Sequence, residues 1–402
     1  MSMTPKQRIL ATLRGEPTDI LPFVPRLDIW YNANSQAGTL PDPYKKASLR
    51  EIVDDLGLGY HSVISDFRDF RIEDGDLDVG LGIYDLNLTP YIIKLHNIRK
   101  THERLSGGRL RVKYETPKGD ITTTAVFSED MRKSGVSLYA VTEHAIKDAS
   151  DLGAVSYILN NAEVIPNYDN YRTYQEQFIG ERGIATALGT PYASPAHYLI
   201  KELMSVQDFY YMLMDNPDET RAFCREIAPY TDRVIEVAAD CSAEVILVGA
   251  NYDTALTPPP IFSEHITPWL KKSADMLHGR GKFLATHPDG ENSGLLEEYV
   301  KAGIDIADSI CPPPMTRIPL HEIREVFAGS GITIWGGIPS VSVLESSMSQ
   351  RDFEALVDYT LEAIGAGDHM ILAIADTTPP DASFERILYI QKKAAQFKMG
   401  VR

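Results

Sequence analysis

The chain has 402 residues, 44% of them hydrophobic and 24% charged, which is ample for a packed core and ordinary for a globular protein. Its net charge of −17, from 56 acidic against 39 basic residues, argues against nucleic acid or an anionic membrane as the main partner and leaves room for a local basic pocket. The three cysteines (Cys224, Cys241, Cys311) form no CxxC pair and suggest no disulfide framework, so a reducing, cytoplasmic location is expected.

Residues 4–13 have helical spacing, with Thr4-Pro5 as a cap and first-turn proline, and look like an amphipathic helix rather than a signal peptide. Residues 14–19 break that helix. Residues 21–27 form a short apolar strand with Arg26 and Asp28 at its far end. A polar loop leads to a helix over 48–56 and a second strand over 62–65, which ends at Asp66 with Phe67 and Phe70 just beyond. Between 91 and 127 the period changes to two. Segments 98–104, 110–115 and 121–127 alternate polar and apolar, with Gly107-Gly108 and Lys118-Gly119-Asp120 as turns. This predicts an antiparallel β meander inserted over 90–130, for which a covering sheet with only a packing role is the simpler reading. After Ala145 a β/α rhythm holds to the end, with strands over 184–188, 245–248, 283–286, 304–308, 332–335 and 370–375. The helices between and around them include 198–215, 218–238, 261–277, 320–327, 351–364 and 382–397. With the two early strands the count is eight. That predicts an α/β fold, a single (β/α)8 TIM barrel domain over 1–402 carrying the meander as an insertion. No apolar run reaches membrane-spanning length.

In such a barrel the strand ends converge on one mouth. Strand one would deliver Arg26 and Asp28, strand two Asp66, and strand three Gly189-Thr190-Pro191 with His197 and Tyr198 soon after. Strand four would add Asn251 and Asp253, strand five His287 and Asp289, strand six Asp308 and Cys311, strand seven Gly336-Gly337, and strand eight Asp376. Carboxylates with one or two histidines and an arginine suit proton transfer, a divalent metal or a ligand of mixed charge. Each carboxylate can equally be a helix N-cap, the reading adopted here for Asp308. Trp30, Tyr31, Phe67 and Phe70 are placed to line a pocket for an aromatic group, or to pack as core and rim. There is no GxGxxG, GxxxxGK[ST], GxSxG or HExxH, so dinucleotide, kinase and serine-hydrolase readings lose support.

The chain resembles the uroporphyrinogen decarboxylase superfamily, which includes the decarboxylase and barrel methyltransferases that work with corrinoid proteins. The resemblance covers nearly the whole chain. It rests on residues 14–19 (RGEPTD), Gly189-Thr190-Pro191-Tyr192 before a helix bearing Tyr198, residues 251–258, and His287-Pro288-Asp289-Gly290. The run AGIDIAD over 302–308 and Pro379-Pro380 before the last helix complete it. Against the decarboxylase, only Arg26 remains of an arginine-rich segment. Asn251 stands where its serine is expected, Asp376 where its late histidine is expected, and Tyr198 sits one residue further from its proline. Against the thiol-directed methyltransferases, His287 matches the zinc-binding histidine, while Asp289 and Asp376 occupy the places of two cysteines. Oxygen ligands are acceptable to zinc and would leave it more positive than thiolates do.

The resemblance therefore implies a methyltransferase that demethylates a small methylated substrate, such as an aryl O-methyl ether, and works with a corrinoid carried by a partner protein. His287, Asp289 and Asp376 would hold zinc, or with no metal Asp289 or Asp376 would be a general acid. Arg26, Asp66, Tyr198, Asn251, Asp253, Trp30 and Phe67 would bind substrate. The alternative is cofactor-free decarboxylation of a porphyrinogen-like substrate held by Arg26, Asp66 and Tyr198. A third reading is a non-catalytic corrinoid-protein or ligand-binding barrel. A homodimer is compatible with all three, and neither nucleic acid nor membrane is expected as a partner.

Overall fold

In the computed structural model, residues 2–63, 67 and 70–400 are described. The expected Asp66 lies outside them.

The late β/α rhythm builds one parallel sheet. Its strands are β7 (Ala187–Thr190), β8 (Val245–Ala250), β9 (Phe283–His287), β10 (Ile306–Ile310), β11 (Thr333–Pro339) and β12 (Met370–Ala375), hydrogen-bonded in that order. Nearly every residue of these strands is buried, as near-continuous apolar runs covered on both faces should be. Helices stand between successive strands. Thr267–His278 leads from β8 toward β9, Leu320–Phe327 from β10 to β11, and Gln350–Ile364 from β11 to β12. The inward side chains Val245, Leu247, Ala285, Ile306, Trp335 and Ile371 pack as one cluster. Ile9 and Leu13 of the first helix, Pro5–Leu13, join that cluster. The helix starts on a Thr4 capping box, as its sequence requires.

The first early strand differs from expectation, and the second, expected over 62–65, lies partly outside the described residues. In 21–27 only Phe23 makes a ladder contact, a parallel bridge to Leu372 of β12, backed by Val24 N–H to Leu372 O (2.9 Å). The chain then turns at once into a helix, Asp28–Ala37, where a polar loop was expected. Asp28 carries negative charge into its first turn, which the helix dipole favours. Next to Phe23 runs residue Gly59, whose N–H reaches Phe23 O (3.0 Å), and Tyr60 N–H bonds Arg182 O (2.7 Å). This segment therefore touches the chain before β7 on its other side, without forming a regular strand among the described residues.

The period-two stretch forms an antiparallel sheet of its own. Its strands are β2 (Arg99–Leu105), β3 (Arg109–Thr116), β4 (Gly119–Val126) and β5 (Ala140–Glu143), paired in sequence order. Leu110, Val112, Tyr114, Ile121 and Ala125 alternate inward to the core. The flanking strand β1 (Tyr91–Leu95) does not join this sheet. It pairs instead with β6 (Ala162–Pro166). Among the described residues no helix is long and apolar enough to cross a membrane.

One buried carboxyl near this sheet carries a pH signature. Burial, with Asp78 nearby, raises Asp85 to about 6, against the Ile93 N–H that its carboxylate accepts at 3.1 Å. A folded-state value above the unfolded one gives stability that is full below about pH 4 and is lost as pH rises through 6. Asp85→Asn should therefore raise the unfolding free energy at pH 8 by roughly 2 kcal/mol and change it little at pH 4, read by urea titration at both pH values. An equal effect at both would contradict a raised carboxyl.

Candidate active site

Parallel strands in register place neighbouring side chains on one side. Thr286 of β9 pairs with Ala307 of β10, so His287 and Asp308, one step on, lie side by side. His287 Nδ1 meets Asp308 Oδ2 at 2.5 Å. The N-cap reading of Asp308 is corrected: the residue sits inside β10, is 1% exposed, and can be satisfied only by polar partners in the protein interior. Its other oxygen, Oδ1, lies 3.3 Å from Nε2 of buried His61. The sequence reading missed His61 altogether. Only its position one residue before the start of the expected second strand could have pointed to it.

The far side of His287 faces two more carboxylates. Nε2 is 3.0 Å from Asp376 Oδ1 and 3.9 Å from Asp289 Oδ2. One ligand atom from each of these three residues lies within 4.8 Å of the others, close enough to surround one ion. Asp376 also accepts from Ser309 Oγ (3.2 Å) and Arg26 Nη1 (3.4 Å), and Arg26 Nε donates to Asp28 at 3.0 Å. Asn251 Nδ2 donates to Asp289 Oδ2 at 2.7 Å.

The backbone is bent to make this possible. Asn251 (φ 61°) ends β8, and Ser309 (φ 70°) interrupts the β10–β11 register between Asp308 and Ile310. Left-handed non-glycine residues and bulges of this kind are devices for re-aiming side chains at functional sites. Gly249 (φ 77°) precedes Asn251, and a Cβ there would run into the Tyr252 hydroxyl and Ala193. Tyr252 in turn hydrogen-bonds Thr286 Oγ1 (2.9 Å), beside His287.

Electrostatics separates the carboxyls. Burial opposes charge on His287, but the charge and hydrogen bond of Asp308, with Asp376, raise it to about 10. Burial likewise opposes ionisation of Asp308, and His287 and His61 outweigh it and lower it to about 2. Asp376 is held well below the carboxylate range against burial by His287 and Arg26. Asp289 moves the other way: burial and the Asp376 charge raise it, against His287 and Asn251. Two carboxyls driven apart in this way are suited to different roles.

Several expected substrate contacts lie elsewhere. Trp30 is buried and stacked on Phe384 (5.8 Å), because the unexpected helix turns it into the core. Phe67 is also buried. The Tyr198 hydroxyl donates to Leu81 O and its ring stacks on Tyr192. Asp253 accepts from Ala255 N–H (2.7 Å) and Glu291 N–H (2.9 Å), so it ties two loops together. His197 accepts from Ala193 N–H, and burial pushes it down to about 3. Tyr31 and Phe70 do line a cavity of about 220 Å³, together with His61 and Asp28.

Removing one partner of a buried ion pair leaves an uncompensated charge, at a cost of about 3–5 kcal/mol. Asp308→Ala should lose that much in urea unfolding at pH 7, whereas Asp289→Ala, which removes a carboxyl held unfavourably, should lose under about 1 kcal/mol. Similar losses for both would show that Asp308 is not the counter-ion on which the cluster depends.

The comparisons with known proteins agree with this architecture. A methyltransferase from Methanosarcina mazei superposes with a TM-score of 0.53 over 98% of this chain and 99% of that one, at 15% identity, a likeness of fold. No curated protein matches the chain. The model of the family uroporphyrinogen decarboxylase (URO-D) matches residues 140–396, from β5 through the last helix and across every strand of the parallel sheet. The chain belongs to the uroporphyrinogen decarboxylase family.

Proposed function

We propose that the protein is a methyltransferase that demethylates a small methylated substrate, an aryl O-methyl ether, and delivers the methyl group to a corrinoid carried by a partner protein. The observation that carries this reading is the orientation of His287. Its Nδ1 is held by a buried carboxylate and its Nε2 faces two others. A histidine fixed through one nitrogen and presenting the other to oxygen donors is the usual support of a metal ligand. The donor set fits zinc: one imidazole and the carboxylates of Asp289 and Asp376, converging within 4.8 Å, with Asp308 orienting the imidazole from behind. Zinc held there would act as a Lewis acid on the substrate's oxygen.

The chemistry explains why such a site is needed. When the methyl carbon leaves an ether, the bonding electron pair stays on oxygen, and a free alkoxide or phenolate is a poor leaving group. With no metal bound, Asp289, whose carboxyl is pushed toward the protonated form, is instead the residue placed to hand a proton to that oxygen. Asp376, pinned as the carboxylate by His287 and Arg26, keeps the imidazole aligned. The fold shared with a methyltransferase is in keeping with this assignment. We further propose that Phe23 and the segment at Gly59–Tyr60 complete an eight-stranded barrel, with the 90–130 insertion on a single domain, and that the protein works in the cytoplasm.

A porphyrinogen-type decarboxylation finds less support. Its substrate carries many carboxylates, but Arg26 is already paired with Asp28 and Asp376.

Metal content and methyl transfer test the proposal together. The purified protein should hold close to one zinc per chain, largely lost in His287→Ala and Asp376→Ala, while Asp308→Asn should weaken zinc binding by about 10- to 100-fold. The zinc-loaded protein should methylate a corrinoid protein from an aryl methyl ether, and His287→Ala should not. Methyl transfer undiminished in His287→Ala, or porphyrinogen decarboxylation by the wild type, would overturn the assignment.

A further inference from the structure

The cavity beside the cluster has a composition of its own. Tyr31, Tyr60, Phe70, Tyr174 and Phe178 supply aromatic walls, and Phe70 and Phe178 meet edge to face at 5.0 Å. Besides Asp28, Asn32 and Ser48, two polar groups in this lining stand out. The Arg50 guanidinium lies 4.3 Å from the Phe178 ring centroid and makes no hydrogen bond or ion pair among the described residues. It borders this cavity and a second, more open one that continues outward past Phe70, Tyr174 and Phe178. His61 is the second group. Its residue is 9% exposed, and its Nδ1 is buried with no hydrogen-bond partner.

A buried imidazole nitrogen left unpaired costs free energy unless something fills the vacancy. The other nitrogen, Nε2, points at the Asp308 carboxylate, which can only accept, so Nε2 carries the proton. Nδ1 is then an acceptor and calls for a donor. Arg50, with no hydrogen bond or ion pair among the described residues, is a cation over an aromatic face and calls for an anion. Asp28, the acidic group in the same wall, is neutralised by Arg26 and does little to repel one. The size agrees with one ring: a cavity of about 150 Å³ takes up benzene, and this one offers about 220 Å³.

We infer that this cavity binds a single-ring aromatic ligand carrying an anionic group, held by Arg50, and a hydrogen-bond donor, received by His61 Nδ1. Hydroxylated aromatic carboxylates have that chemistry. As the substrate pocket of the methyltransferase this assignment rests on the function proposed above, but the binding it requires does not.

Calorimetric titration of the purified full chain with 4-hydroxybenzoate, benzoate and phenol tests it. 4-Hydroxybenzoate should bind more tightly than either truncated ligand. Arg50→Gln should weaken 4-hydroxybenzoate and benzoate by about tenfold or more and leave phenol unchanged, the worth of one charge-assisted hydrogen bond. His61→Gln keeps a donor for Asp308 while removing Nδ1, and should weaken 4-hydroxybenzoate and phenol but spare benzoate. Phe178→Leu, which retains bulk but no ring, should weaken all three. No saturable binding of 4-hydroxybenzoate up to about 10 mM, or wild-type affinities in Arg50→Gln and His61→Gln, overturns the inference. Binding as expected with no methyl transfer from 4-hydroxy-3-methoxybenzoate, which carries the anion, the donor and a methyl ether, would leave the pocket standing and sink the methyltransferase. Methyl transfer from simple methyl ethers without such binding would do the reverse.

Discussion

Everything at the strand ends depends on one buried carboxylate. Asp308 sits inside β10 with almost no access to water, between His287 on one oxygen and His61 on the other. An isolated carboxylate in such a place would give up its charge. This one keeps it because His287, next to it on β9, and His61 on its other oxygen hydrogen-bond it and offset its burial. The pairing is a consequence of sheet register: two parallel strands aligned at Thr286 and Ala307 leave His287 and Asp308 no choice but to face each other. The sheet thus fixes the tilt of the imidazole before any ligand arrives, and with it the direction in which Nε2 points.

From that pair the charges alternate outward. Asp308 holds His287, His287 holds Asp376, Asp376 holds Arg26, and Arg26 holds Asp28. In a low-dielectric interior each neighbour offsets the desolvation of the next, so the string is tolerable as a whole and costly in fragments. Asp289 is the member that does not fit. It is close to His287, yet burial and Asp376 drive it toward the neutral form. A group that the surroundings hold against its own charge is poised to exchange a proton or to accept a cation.

How much of this was legible in the sequence depended on how local the signal was. Apolar runs followed by helical periods marked the six strands β7 to β12 within a few residues, because buried parallel strands announce themselves by composition. His287, Asp289 and Asp376 stood out because two carboxylates and a histidine at strand ends have few other uses. Asp308 was misread as a cap since its role needs a partner on the adjacent strand, which no spacing along the chain reveals. His61 was invisible for the same reason, its partner Asp308 being 247 residues away. Trp30 was misplaced because the chain turns into a helix at Asp28, where its polar character suggested a loop. Tyr198 was misplaced because its hydroxyl finds a backbone carbonyl, Leu81 O, far off in sequence.

The two ends of the charge string return to the same place. Asp28 lies in the wall of the aromatic cavity and reaches Asp376 through Arg26. His61 lies in that wall and reaches His287 through Asp308. The first path reaches the imidazole through Arg26 and Asp376 and the second through Asp308 alone, and the two meet on opposite nitrogens of His287. A ligand seated in the cavity therefore bears on the alignment of His287 from both sides without touching it. Contacts made far from a reacting bond can hold a catalytic group in its productive geometry, and small displacements of such a group are expensive in rate. The cavity and the His287 cluster are best understood as one unit, joined by two short electrostatic struts set at the ends of the buried parallel strands.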